Sequence, residues 1–168
     1  MALQELITEF EIYLNKEVER AYFPLPLYRG DNRDLEAIKE AEGFLPKNNA
    51  KEKPVIRTLL YHCAENSYGG PFISTTEDQA VASGFGRYVY RINAGMGVVS
   101  AENWTKLANY RNLLMHEKSV ANADTDVTIL NRASRYIELL NAAIQYNNAQ
   151  REQLVIKKIP MQVIKLLN

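Results

Sequence analysis

Three short segments of this chain carry residue types that could do chemistry together. The first is Tyr28-Arg29-Gly30-Asp31-Asn32-Arg33, with two guanidiniums flanking an acid; the second is Phe72-Ile73-Ser74-Thr75-Thr76; the third is Gln150-Arg151-Glu152. A guanidinium is a permanently charged planar fork that suits phosphate and ribose oxygens. Asp31 can hold one arginine by a bidentate pair and leave the other for a ligand, while Gly30 lets a ligand approach the backbone. Ser74 offers a hydroxyl to orient a carboxylate, and Glu152 is that carboxylate. Residues two apart on extended chain share a face, so Gln150 and Glu152 are expected to serve one cleft. Taken singly, each segment has a plainer reading: a salt-bridged surface turn, a β-rich triad before a helix, and a chance Gln-x-Glu.

The elements that must position these groups are short and irregularly ordered. Leu3, Leu6, Ile7, Phe10, Leu14 and Val18 recur at helical spacing and predict an amphipathic helix over 3–18 within an N-terminal extension, 1–22. Pro24 and Pro26 favour extended chain into a strand at Leu27–Arg29. Asp34 can cap a helix through Glu42, closed by Gly43 in the left-handed conformation. Pro54 suits the first turn of a helix through Glu65, with Leu59, Leu60 and Cys63 on one side. Gly69-Gly70-Pro71 breaks the chain before a strand at Phe72–Thr75, and Thr76 with Gln79 makes a capping box for a helix ending near Gly84. Residues 87–93 alternate as a strand, and 101–148 read as helix with an apolar stripe of Ile129, Leu130, Ala133, Ile137, Leu140 and Ile144. Residues 153–159 and 162–167 predict two strands joined at Pro160. The pattern is α+β, without βαβ alternation.

The whole chain narrows the classes of function. At 168 residues it reads as one domain, 1–168, large enough to bury about two thirds of its unfolded surface. Twenty basic residues balance twenty acidic ones. That balance favours a protein over a nucleic acid as macromolecular partner, because nucleic-acid binders carry a basic excess or stripe. Cys63 is the single cysteine, so no intramolecular disulfide forms, and it reads as a small buried helix residue. Two histidines and one cysteine without ligand spacing give no metal site. His116 has no partner suggesting chemistry. No apolar run approaches the ~18 residues of a membrane span, and acids occupy the N-terminal stretch where a signal peptide needs bases.

The order and flanks of the three segments resemble mono-ADP-ribosyltransferase toxins of the pertussis and cholera catalytic-subunit type. Arg29-x-Asp31-x-Arg33, followed by Gly43-Phe44 and Pro46, is similar to the start of those subunits. Glu152 is followed at seven residues by Ile159-Pro160, as in that family. The resemblance covers roughly 27–166, with poor matching across 44–70 and 100–145. It implies a fold of two small, mostly antiparallel sheets forming an NAD cleft, with an N-terminal helix and a long inserted helical segment. It implies NAD as substrate, with Arg29, Asp31, Arg33, His62, Thr75 and Phe85 binding it and Glu152, Gln150, Arg29 and Ser74 catalytic. His62 would lie near the nicotinamide ribose, and Phe85 or Tyr88 would pack on the nicotinamide.

The arginine-modifying members carry glutamate where this chain has Gln150, which cannot accept a proton at neutral pH. The expected acceptor is therefore a macromolecular side chain other than arginine. Guanine in nucleic acid, or water in an NAD glycohydrolase, are the alternatives, and a non-catalytic binding module of the same fold is the non-enzyme one. The resemblance further implies a secreted or delivered effector acting in a target cell's cytosol, with a cognate inhibitor or delivery subunits as possible partners.

Overall fold

The computed structural model describes residues 2–24, 26–47, 52–65 and 70–168. It is an α+β protein of antiparallel sheets and six helices. In chain order these are α1 (Leu3–Leu14), β1 (Arg20–Phe23), β2 (Leu27–Asp31), α2 (Leu35–Glu40), β3 (Gly43–Phe44), α3 (Ile56–Ala64), β4 (Ile73–Thr76), α4 (Gln79–Ser83), β5 (Tyr88–Ile92), β6 (Met96–Val99), α5 (Ala101–Ser119), α6 (Val127–Gln150), β7 (Glu152–Val155), β8 (Ile159–Pro160) and, after a single 3-10 turn, β9 (Ile164–Leu166). Seven strands form one sheet in the order β1-β6-β7-β4-β2-β5-β9, and β3 with β8 forms a second.

The larger sheet narrows in its middle. β2 and β4 share a single residue pair, Tyr28↔Thr76, whereas β2 pairs with β5 along its full length and β4 with β7 over four residues. The strand carrying Arg29 and the strand carrying Ser74 therefore diverge from one crossing point. A gap opens between their ends.

Alternation along the strands divides the core in two. Leu154 and Phe72 face a helical core built from Leu6, Ile7 and Phe10 of α1, Leu59 and Leu60 of α3, and Leu107, Leu114, Ala133 and Leu140 of α5 and α6. Ile73 and Val155 face the opposite side, with Leu27, Ile38, Phe44, Tyr90 and Ile92. The first core sets the depth at which α3 presents His62 and Cys63 beneath β4. Leu60 is fully buried there, so Leu60→Ala should destabilise the fold by roughly 2–5 kcal/mol, read by urea denaturation.

Several predicted boundaries move. The first helix stops at Leu14, and Val18 is buried from the following turn, where its amide bonds Pro54. The long helical stretch is two helices, α5 and α6, separated at 120–126. Asp34 caps α2 as predicted, accepting from the Ala37 amide, and both Glu42 and Gly43 take positive φ. β1, β3 and β6 were not predicted: exposed Arg20–Phe23, a two-residue strand and Gly-interrupted Met96–Val99 leave no alternation to read. Gly69 of the predicted break lies outside the described residues.

The two flanking segments of the resemblance meet in the small sheet. Gly43 pairs with Pro160 and Phe44 with Ile159. A Cβ at Gly43 would sit 2.0 Å from the Ile159 carbonyl oxygen, at φ 122°, so only glycine fits this approach.

Candidate functional site

The divergence of β2 from β4 leaves a cavity of about 430 Å³, walled by β2, β4, α3, the end of α6, the α4–β5 connection and the chain after β3. Of the predicted site residues, Arg29, His62, Ser74, Thr75, Phe85, Gln150 and Glu152 line it. Residues from three segments more than forty positions apart converge on one space.

Arg29 reaches across the gap. Its Nη1 donates to the Ser74 carbonyl at 2.8 Å and its Nε to Asp31 at 3.3 Å. Its guanidinium also lies over the Phe44 ring, 5.1 Å from the centroid. Asp31 and Arg33 do not line the cavity; they brace Arg29 from behind. Arg33 grips Asp31 through Nε at 2.9 Å, Nη2 at 2.8 Å and its own amide at 2.9 Å. Burial alone would raise the Asp31 carboxyl, but those bonds and the charges of Arg29 and Arg33 more than offset it and hold Asp31 below its ordinary range. For Arg29 the balance runs the other way: burial draws its pKa down despite Asp31. Direct ligand contact by Asp31 or Arg33 is therefore replaced by a supporting role. Gly30 lines the cavity beside Arg29, and the Ala82 carbonyl occupies the place a Cβ would need, so only glycine admits the end of α4 against β2 here.

Glu152 stands at the start of β7, 8% exposed. Burial pushes its pKa up to about 7, against hydrogen bonds from Ser74 and Cys63 and the charge of Arg29. Cys63 Sγ donates to Oε2 at 3.9 Å, and burial beside Glu152 raises the thiol well above its ordinary value, so it remains a donor. The other oxygen, Oε1, is buried without a hydrogen-bond partner. Ser74 also meets His62, Nε2 to Oγ 2.9 Å, and the imidazole packs edge-on against Phe72 at 5.5 Å. Burial, then Lys47 and Arg29, push His62 down to about 4, so it is neutral at physiological pH.

The turn joining α6 to β7 sets the relation of Gln150 to Glu152. Gln150 ends the helix and is not on extended chain as predicted; Arg151 takes a left-handed conformation, φ 46° and ψ 46°. That bend, rather than strand alternation, sends both side chains into the cavity. Thr76 secures it. Its hydroxyl donates to the Gln150 carbonyl at 2.9 Å and accepts from the Asp78 amide at 3.1 Å. The residue capping α4 is consequently Asp78, which accepts from the Ala80 amide, and not Thr76. Thr76→Val should cost about 1–2 kcal/mol and Thr76→Ser much less, compared by thermal unfolding. Thr75, also read as ligand-binding, lines the cavity with its hydroxyl proton committed to the Gln153 carbonyl.

Sequence reasoning missed Lys47 and Tyr146. Tyr146 lies four residues before Gln150, a helical i, i+4 neighbour, and that spacing could have revealed it. Burial, with Glu152 and Cys63 nearby, pushes its hydroxyl up to about 12. Lys47 follows Leu45-Pro46 with no local signal and adds a second cation to the wall. Phe85 is half exposed at the mouth. His116 sits exposed on α5, away from the cavity.

The arrangement can do two things at once: set the cations Arg29 and Lys47 in the wall of one cavity, where an anion could be held, and keep a carboxylate in a poorly hydrated place. The chain matches no protein-family profile, no curated protein and no solved structure.

Proposed function

We propose that this cavity binds NAD and that the chain is a mono-ADP-ribosyltransferase of the pertussis and cholera toxin group, with that family's cleft-forming fold. The observation carrying the proposal is Glu152: a buried carboxylate with one oxygen unpartnered, fixed opposite Arg29 in a cavity of ligand size. Structural carboxylates are normally paired; here Oε2 accepts from the Cys63 thiol at 3.9 Å and buried Oε1 has no hydrogen-bond partner.

The chemistry follows from the charges. Nicotinamide departs from C1′ with the bonding electron pair and leaves as a neutral molecule, so no general acid is required. Positive charge grows on the ribose, as in glycoside cleavage. Ionised Glu152 stabilises that charge through a preorganised field in a low-dielectric site. Ser74 orients the carboxylate, and Arg29 with Lys47 anchors the pyrophosphate. An acceptor nucleophile bonds C1′ from the Gln150 side and releases its proton to solvent, since Gln150 cannot take it.

Gln150 argues against arginine as acceptor, and the balanced charge of the chain favours protein over nucleic acid. A delivered effector with a target in the cytosol, and an inhibitor or delivery subunit as partner, complete the proposal. Among the described residues no helix is long and apolar enough to cross a membrane.

The second reading, NAD glycohydrolysis, uses the same Glu152 with water as acceptor. Incubation with NAD labelled in the adenylate, plus cell lysate with and without nuclease, separates the possibilities. Label on nuclease-resistant, protease-sensitive material supports the transferase. Nicotinamide release without labelled macromolecule selects the glycohydrolase. NAD left intact in both arms sinks the proposal.

A further inference from the structure

Arg151 stands between Gln150 and Glu152 with φ 46° and ψ 46°, a left-handed conformation that glycine takes freely and an arginine does not. Among the described residues Glu42 alone shares positive φ without being glycine. Such a residue keeps its conformation where its surroundings over-determine it. Here the surroundings are residues 75–78, at the junction of β4 and α4.

Each residue from 150 to 153 is tied to that junction. The Thr76 hydroxyl donates to the Gln150 carbonyl at 2.9 Å and reaches the Arg151 carbonyl at 3.4 Å. Glu152 pairs with Thr76 in the β4–β7 ladder, and the Gln153 carbonyl accepts from the Thr75 hydroxyl. The Glu77 amide donates to the Arg151 carbonyl at 3.4 Å, and the Glu77 carboxylate accepts from Gln153 Nε2 at 3.1 Å. Glu77 thus straddles Glu152, gripping the residue before it through the main chain and the residue after it through the side chain. Asp78 places Oδ2 3.9 Å from Arg151 Nη1 while its Oδ1 caps α4. That ion pair is largely exposed and adds little by itself; the part-buried bond from Gln153 to the Glu77 carboxylate is the stronger hold.

Gln150 and Glu152 depend on this hold unequally. Glu152 belongs to the ladder, so the sheet fixes its main chain whether or not Glu77 holds Gln153. Gln150 is the last residue of α6, where a helix frays for want of further partners, and the turn is what ties it to β4. We propose that Glu77 is a positioning residue for the acceptor side of the site: bonded to Arg151 and Gln153, it locks the left-handed turn and so keeps Gln150 in the cavity wall. A locked Gln150 keeps the approach to C1′ ordered for a macromolecular acceptor, and a frayed one admits water. That consequence rests on the NAD reading; the lock itself does not.

The lock is read by hydrogen exchange in the full-length chain at the Arg151 amide, which donates to the Asn148 carbonyl at the end of α6. The amide of fully buried Leu60 in α3 is the reference. Expected in Glu77→Ala is exchange about tenfold faster at Arg151 with Leu60 unchanged, the loss of one bond to a charged acceptor. Glu77→Gln still accepts from Gln153 through its amide oxygen and should exchange nearly as the unmodified chain does. Unmoved exchange in Glu77→Ala overturns the proposal. So does an equal rise at Arg151 and Leu60, which marks a bond serving global stability alone, and so does a glutamine variant that behaves like the alanine one.

The consequence is read with NAD labelled in the adenylate and added cell lysate. Glu77→Ala should lower labelled protein per nicotinamide released about tenfold while KM for NAD stays within about twofold, and Glu77→Gln should restore the ratio. An unchanged ratio overturns the acceptor role, as does a KM that climbs while the ratio falls. If the unmodified chain labels no protein or leaves NAD intact, the acceptor role falls with that reading, and the exchange result still decides the lock.

Discussion

Glu152→Gln should cut NAD cleavage by about 10²–10³-fold and at the same time make the protein more stable at pH 8. The first half follows from the charge lost: roughly 3–4 kcal/mol of transition-state stabilisation, a fall of about 10²–10³ in kcat by the scale of other preorganised electrostatic groups. The second half follows from burial. The carboxyl pKa rises from 4.5 to about 7, so the folded chain holds this proton more tightly than the unfolded chain. Glu152 therefore favours folding fully below pH 4.5, and that contribution is lost as pH rises through about 7. At pH 8 the ionised group costs roughly 3 kcal/mol, which the neutral amide removes in large part because Ser74 and Cys63 can still donate to its carbonyl oxygen. Urea denaturation at pH 8 and pH 5 reads both ends: a gain of about 2–3 kcal/mol at pH 8 that shrinks toward zero at pH 5. Equal stability of the two proteins at pH 8 would show that Glu152 is not a destabilised, functional carboxylate.

The same substitution exposes an opposing trend. His62 is depressed from 6.5 to about 4, so the unfolded chain takes up that proton first as pH falls, and stability is lost from pH 6.5 down through 4. In the native chain the Glu152 and His62 slopes oppose one another between pH 4.5 and 6.5. Glu152→Gln removes one of them, so its stability should decline more steeply toward acid than that of the unmodified protein. Transfer activity itself should rise with pH toward a plateau above 7, because the ionised carboxylate is the working form.

What the amino-acid sequence revealed of this molecule depended on how locally each feature is encoded. α1 was legible because Leu3, Leu6, Ile7, Phe10 and Leu14 mark one helical face, all of them buried. α2 was legible through Asp34, whose cap is a contact over three residues. Arg29, Ser74 and Glu152 were singled out by the order and flanks of their segments, and the structure brings all three to one cavity. Their arrangement was not legible. The bend at Arg151 depends on Thr76, seventy-five positions earlier, and no local pattern marks an arginine for the left-handed region. That Asp31 would brace one arginine and leave the other for a ligand was legible from Arg29-x-Asp31-x-Arg33, but that Asp31 and Arg33 themselves stay out of the cavity depends on the divergence of β2 from β4. The split of the long helical stretch at 120–126 was obscured because residues 101–148 read as almost unbroken helix. The small sheet is a further case: Gly43 and Ile159 are far apart in sequence, and two-residue strands leave no period to read.

Arg29 should prove as sensitive as Glu152, for a different reason: one guanidinium serves three ends. It closes the gap between β2 and β4 by bonding the Ser74 carbonyl, it pairs with buried Asp31, and it presents charge to the cavity. Removing one partner of a buried ion pair ordinarily costs 3–5 kcal/mol; Arg33 keeps its bidentate hold on Asp31, so Arg29→Met should cost less, about 2–3 kcal/mol. The electrostatic consequence is more specific. Arg29 lowers the Glu152 pKa and also lowers that of His62. Its loss should therefore move the carboxylate midpoint upward from about 7, shifting the pH–rate profile to higher pH in addition to weakening NAD binding. Arg29→Lys divides these effects. The ammonium restores charge, and with it most of the pH profile. It lacks the fork that spans Asp31 and Ser74, so KM for NAD should stay raised by an order of magnitude or more, one or two charge-assisted hydrogen bonds at ~1.5–3 kcal/mol each. A lysine variant with unaltered KM would remove Arg29 from the pyrophosphate and leave it a structural bridge; a methionine variant with an unmoved pH profile would break its electrostatic link to Glu152.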